Sequence, residues 1–144
     1  MILYTIGFGK KTAQEFFTLL QKNGVKRVID IRLNNVSQLA GYTKKTDLAY
    51  FLSAIADIDY IHLPEFAPTK QLLDGYKGKK ISWREYETEY ACILEERVSL
   101  NQLDNSLFDG ACLLCSEPTP KQCHRRLLAE YLAEKINGLK VVHL

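Results

Sequence analysis

The 144 residues carry 19 Lys and Arg against 17 Asp and Glu, a formal net charge of +2, with 47% hydrophobic and 25% charged residues. This length suffices for a single α/β domain spanning 1–144 with a substantial core, and the composition excludes disordered and fibrous classes. No apolar run reaches membrane-spanning length, and Met1 leads straight into an apolar strand without a basic leader, so the expectation is a cytoplasmic protein with no membrane partner.

Taken in chain order, five short apolar runs alternate with helical patterns. The first, Ile2 to Ile6, leads to a capping box of Thr12 and Glu15 that opens a helix with Ala13, Phe16, Leu19 and Leu20 on one face and Gly24 as its stop. A second strand runs from Arg27 to Ile31, followed by a polar loop from Asn34 to Gly41. Thr46 is then placed to cap a helix carrying Leu48, Phe51, Leu52 and Ile55. The third strand is Tyr60 to Leu63. From Pro64 to Ile81 two prolines, two glycines and four lysines read as a long lid or binding loop. Ser82 and Glu85 form another capping box, opening an acidic helix with Tyr86, Tyr90, Ile93 and Leu94 on one side. Residues 99 to 110 form a polar connection to the fourth strand, Ala111 to Cys115, and a final strand covers Lys140 to His143. Alternation of strand and helix predicts a three-layer α/β fold, a mostly parallel five-stranded sheet with helices on both faces. Right-handed crossovers would then bring the carboxyl ends of the strands to one edge, where ligands bind in open α/β sheets.

The segment from Cys115 to Arg126 packs the most reactive side chains into the turn before the last helix. Thr119, Pro120 and Gln122 fit N-cap, first-turn and capping-box positions, which places Cys123, His124 and Arg125 near the positive end of the helix dipole. A helix start with Lys121 and Arg125 beside it attracts phosphate or carboxylate and favours thiolate over thiol. Free cysteine is equally at home in a core, and Cys123 precedes Leu127 by four residues on the packing stripe. Four cysteines in core elements of a chain this size read as reduced thiols.

Several constellations at the same edge bear on chemistry. Asp30 and Arg32 leave the second strand pointing to one face, either as a structural ion pair or with Asp30 orienting Arg32 toward an anion. Cys115 is a candidate nucleophile with His124 as base or thiolate partner, and Glu117 is a candidate acid–base group or a mate for Arg125. Arg126 has Glu130 at i+4 and reads as structural. His62 reads as a core histidine. Gly7-Phe8-Gly9-Lys10 is too short for a dinucleotide fingerprint, so Gly7 marks either a tight turn or close approach to a ligand with Lys10 beside it. Cys112 and Cys115 lie three apart on a strand and face opposite sides, which argues against a metal clip. A zinc set of Cys115, Cys123, His124 and Glu117 lacks a second matching pair, so neither metal nor cofactor is expected.

Charge is uneven: 12 Lys and Arg against 7 Asp and Glu over residues 1–82, but 2 against 7 over 83–110. With the acidic helix on a solvated outer face, the remainder favours anionic partners. The expectation is an enzyme acting on a phosphate-bearing molecule, a nucleotide or nucleic-acid piece, with Arg32, Lys121, Cys123 and Arg125 holding the anion. The alternatives are a nucleic-acid or partner-binding module using Lys70, Lys77, Lys79 and Lys80, and a thiol redox or zinc protein.

Tyr4-Thr5-Ile6-Gly7, Asp30-Ile31-Arg32, Leu63-Pro64, Cys115-Ser116-Glu117, Cys123-His124-Arg125-Arg126 and the closing Val142-His143-Leu144 together resemble the domain of unknown function 488 family. The Cys-x-Glu followed by Cys-His-Arg is the most specific part. Phe8-Gly9 stands where most of the family has His-Ser. The resemblance implies a single α/β domain with a site built from these motifs, and it supplies no reaction.

Overall fold

The computed structural model describes residues 1–36, 41–97, 104–117 and 119–144. Five strands, β1 (Ile2–Gly7), β2 (Arg27–Asp30), β3 (Asp59–His62), β4 (Ala111–Cys115) and β5 (Lys140–His143), form one sheet in the order β3-β2-β4-β1-β5. Every pairing is parallel, with Tyr4 beside Cys112 and Ile29 beside Leu113 in register. Each strand lies within a residue or so of the span expected from its apolar run.

The helices are α1 (Ala13–Lys22), α2 (Lys45–Phe51), α3 (Lys70–Lys77), α4 (Trp83–Arg97) and α5 (His124–Lys135). From β1 through β3 the chain steps toward one edge of the sheet; after β3 it reverses. Right-handed crossovers then require the helices to change faces. Accordingly Phe16, Phe17, Leu20, Leu48 and Leu52 of α1, α2 and the turn after it pack on one face with Ile6, Val28 and Leu114. Tyr86, Tyr90, Leu94, Leu128 and Leu132 of α4 and α5 pack on the other with Leu3, Ile29 and Leu113. The central strand β4 is buried along its whole length, as a strand covered on both faces must be.

Local signals hold where nothing competes with them. The Thr12–Glu15 box closes in both directions at the start of α1, and Gly24 takes φ 66° just past its end. Ser82 and Glu85 exchange the same pair of bonds before α4. Three expectations are corrected. Helix α2 begins at Lys45 with Lys44 at its N-cap, not Thr46, because the Asn35 carbonyl takes the Lys45 N–H at 2.8 Å and replaces a local cap. The excursion from Pro64 to Ile81 is not a bare loop: Thr69 caps Leu72 N–H and starts α3. Helix α5 begins at His124 with Cys123 at the N-cap, so the Thr119-Pro120-Gln122 capping signal is not used. Gln122 instead accepts a hydrogen bond from Tyr76 Oη at 3.1 Å. The polar loop after β2 and the connection before β4 fall partly outside the described residues. Within the latter, Asn105–Phe108 is a 3-10 turn that buries Phe108 completely.

Candidate functional site

The reversal of strand order leaves a crevice at the carboxyl edge between β2 and β4, the place where an open α/β sheet holds ligand. A cavity of about 360 Å³ occupies it. Its floor is Cys115, Ser116, Cys123 and His124; Arg32, Leu33 and Phe8 form one side; Leu73, Tyr76 and Lys77 of α3 with Trp83 and Tyr86 of α4 form the other. The segment expected to be a lid is therefore a helical wall. Its aromatic part is rigid, with Trp83 and Tyr86 stacked at 4.8 Å and 13°, and Tyr76 tilted against both at 5.2 and 5.4 Å. Such contacts each add about 0.5–1.5 kcal/mol beyond their area burial.

Two guanidinium groups lie at the base. The Arg32 side chain donates from Nε and Nη2 to the two oxygens of Asp30, both at 2.9 Å, and from Nη2 to the Thr43 carbonyl at 2.6 Å. Tyr60 Oη also donates to Asp30, which is fully buried. Burial pushes the Asp30 carboxyl up, but the bonds and charge of Arg32, with Tyr60, hold it below the usual carboxylate range. The pair is thus structural, and it also fixes Arg32 on the cavity wall, its guanidinium 5.4 Å from the Phe8 ring centre.

Arg125 is different. It is completely buried, and among the described residues no carboxylate pairs with it. Nη1 donates to the Glu117 carbonyl at 2.6 Å and to Cys115 Sγ at 3.0 Å, while Nε and Nη2 have no hydrogen-bond partner among the described residues. A buried cation without an anion is among the costliest arrangements a protein can hold. The group placed to supply the anion is the Cys115 thiol. Burial alone would push that thiol up, yet the hydrogen bond from Cys123, the Arg125 charge and bond, and the Glu117 backbone N–H bring it below its ordinary value. Cys123 moves oppositely: its bond to Cys115, then burial, push its thiol up, so it stays protonated. Gly7 explains how Arg125 reaches this point. A Cβ there would lie 1.5 Å from the Glu117 carbonyl oxygen and 2.4 Å from Arg125 Nη1, so the missing side chain makes room for the Glu117 backbone and the guanidinium bound to it.

The other expected residues are distributed as follows. His124 lines the cavity but bonds through Nε2 to the Ile31 carbonyl at 2.9 Å, and burial lowers its pKa to about 4, leaving it neutral. The neighbours of Cys115 are a guanidinium and a thiol, with the imidazole turned to Ile31. Glu117 reaches the cavity from an exposed position, and Arg125 takes its carbonyl instead of its carboxylate. Lys10 and Lys121 are exposed and do not line the cavity. Arg126 joins Glu130 at 3.0 Å and Glu87 at 2.9 Å, a structural role as read. His62 donates from Nε2–H to the Arg32 carbonyl, 3.0 Å away. Cys112 packs in the core on the opposite face of β4 from Cys115. All four cysteines are free, and among the described residues no group of three or more His, Cys, Asp and Glu side chains is arranged to hold a metal.

Sequence reading missed Lys11, whose Nζ donates to the Gly7 carbonyl at 2.7 Å within the field of Arg125 and Cys115. It also missed the Tyr76–Trp83 wall. The spacing of Trp83, Tyr86 and Tyr90 on one helical face was the available signal.

The chain matches the family described as "Domain of unknown function DUF488" over residues 12–132. It belongs to the DUF488 family. The matched span takes in Asp30, Arg32, Cys115, Cys123 and Arg125. No curated protein and no solved structure matches the chain. This DUF488 protein has, among its described residues, no helix long and apolar enough to cross a membrane.

Proposed function

We propose that this DUF488 protein is an enzyme that binds a phosphate-bearing, nucleotide-like molecule in the carboxyl-edge cavity and acts on it with the Cys115 thiolate. The observation that carries the reading is the buried Arg125 guanidinium with Cys115 Sγ at 3.0 Å and, among the described residues, no carboxylate to neutralise it. A thiolate, not a thiol, is the nucleophile, and a buried cation is the device that holds one at neutral pH. The wall of Tyr76, Trp83 and Tyr86 suits a planar ring, and Arg32 with Lys77 suits an anionic group. The volume falls in the range of small-ligand sites, roughly 300–1,000 Å³. His124, neutral and fixed by Ile31, offers a polar edge to the ligand, and Glu117 at the rim is placed for proton transfer with solvent.

The test is a thermal-shift and turnover screen over nucleoside phosphates, with inorganic phosphate as the minimal probe. Nucleotides should raise Tm more than phosphate does. Cys115→Ser should keep that shift and lose turnover, and Arg32→Lys should weaken the shift, because lysine cannot copy the planar fork. Absence of any nucleotide response defeats the reading. Binding that collapses with salt, with no turnover for Cys115→Ser to remove, would instead mark a nucleic-acid-binding module using the exposed Lys70, Lys77, Lys79 and Lys80.

A further inference from the structure

The cavity floor holds two thiols, and the reading above uses one. Cys115 ends β4 and Cys123 holds the N-cap position of α5; the Cys123 thiol hydrogen-bonds Cys115, and both residues line the same cavity although only 1% and 3% exposed. Arg125, 3.0 Å from Cys115 Sγ, draws one sulfur toward the thiolate form, and its neighbour stays a thiol. Cys112, behind the sheet, and Cys92, exposed on α4, stand outside this pair.

We propose that Cys115 and Cys123 are a redox-active dithiol, Cys115 the reacting thiolate and Cys123 the resolving thiol, closed to a disulfide by a hydroperoxide and reopened by small thiols. The inference shares the Cys115 thiolate with the preceding section but not its substrate. In the first step Cys115 Sγ attacks the terminal peroxide oxygen. A sulfur–oxygen bond forms, the oxygen–oxygen bond breaks, and its electron pair leaves as alkoxide or hydroxide, giving a sulfenic acid. In the second, Cys123 sulfur attacks the sulfenic sulfur, its proton joins the departing hydroxide, and water leaves as the disulfide forms. Two monothiols reopen the bond and are themselves oxidised to their disulfide.

Arg125 sets the direction in which this pair leans. Closing the disulfide removes the thiolate form that a fully buried guanidinium favours, and among the described residues Nε and Nη2 of that guanidinium have no other partner. The reduced form is therefore favoured electrostatically, which places the couple on the oxidising side of ordinary structural disulfides. The cavity admits a molecule as small as hydrogen peroxide to Cys115, while the seated thiol gives the sulfenic acid an immediate partner.

The experiment uses the full chain with Cys92→Ser to remove the surface thiol. Near-equimolar hydrogen peroxide should lower the intact mass by two hydrogens, cost two titratable thiols, and join the Cys115 and Cys123 peptides in a non-reducing digest; dithiothreitol should reverse all three. Adding Cys123→Ser should stop the reaction at a single added oxygen that a sulfenic-acid trap captures, and Cys115→Ser should abolish it. In glutathione buffers, Arg125→Met should make the disulfide about tenfold harder to reduce, about 30 mV for this two-electron couple. The proposal is overturned if both thiols survive peroxide, if Cys115 oxidises further without pairing, or if Cys112 is the partner. None of these outcomes depends on the nucleotide screen, so either idea can fail alone.

Discussion

Two buried arginines stand at the carboxyl edge of the sheet, Arg32 just after β2 and Arg125 in the first turn of α5, and they have opposite company. Arg32 faces Asp30 through a two-pronged bond, with Tyr60 and Thr43 joining the network; Arg125 faces a sulfur, a backbone carbonyl and, among the described residues, nothing acidic. The first is an ion pair that holds β2 to the loop before α2 and fixes Arg32 on the cavity wall. The second leaves its charge to be balanced by a group that is reactive when it does so. The contrast teaches that a buried cation becomes informative about function when its natural carboxylate is missing.

The contrast can be broken from either side. Asp30→Ala leaves Arg32 buried without an anion and should cost about 3–5 kcal/mol in urea unfolding. A loss under 1 kcal/mol would show that the pair is not what holds this edge. Gly7→Ala attacks the other arginine through its packing. With a backbone oxygen where the new methyl must go, it should cost about 3 kcal/mol and displace Arg125, so that Cys115 alkylation slows even in the folded fraction. Arg125→Met removes the charge but keeps the bulk. The rate of Cys115 alkylation at pH 7 should fall about tenfold, equal to about 1.4 kcal/mol in thiolate stabilisation.

Acid sharpens the same comparison. Cys115 is shifted below its ordinary 9.0, so its contribution to stability is full above that value and lost as pH falls through the lower folded one. Cys115→Ser should erase that slope. His124 adds a second window: folded at about 4 against 6.5, it leaves the unfolded chain binding more protons between those values, so stability falls as pH drops from 6.5 toward 4. His124→Gln should flatten this part of the curve. The smallest effect belongs to a third arginine. Removing Glu130 from Arg126 should change stability by about 0.5 kcal/mol or less, as for an exposed helical pair.

Much of this molecule is written locally. The five strands, the capping boxes at Thr12 and Ser82, and the opposite faces of Cys112 and Cys115 follow from period and spacing, because each needs only neighbours in the chain. The same rules place Asp30 beside Arg32, two residues apart on one strand. What tertiary structure decided is everything that joins distant segments. The Asn35 carbonyl moved the start of α2, the Tyr76–Gln122 bond took a residue the α5 cap signal claimed, and α3 turned an expected loop into an aromatic wall. Above all, the sequence determined that Cys115, Glu117, Cys123 and Arg125 share a turn, but not which of them meet. That required Gly7 of β1 to leave space for Arg125, since a desolvated charge takes its partner from whatever the packed fold brings within reach, and here it brought a thiol.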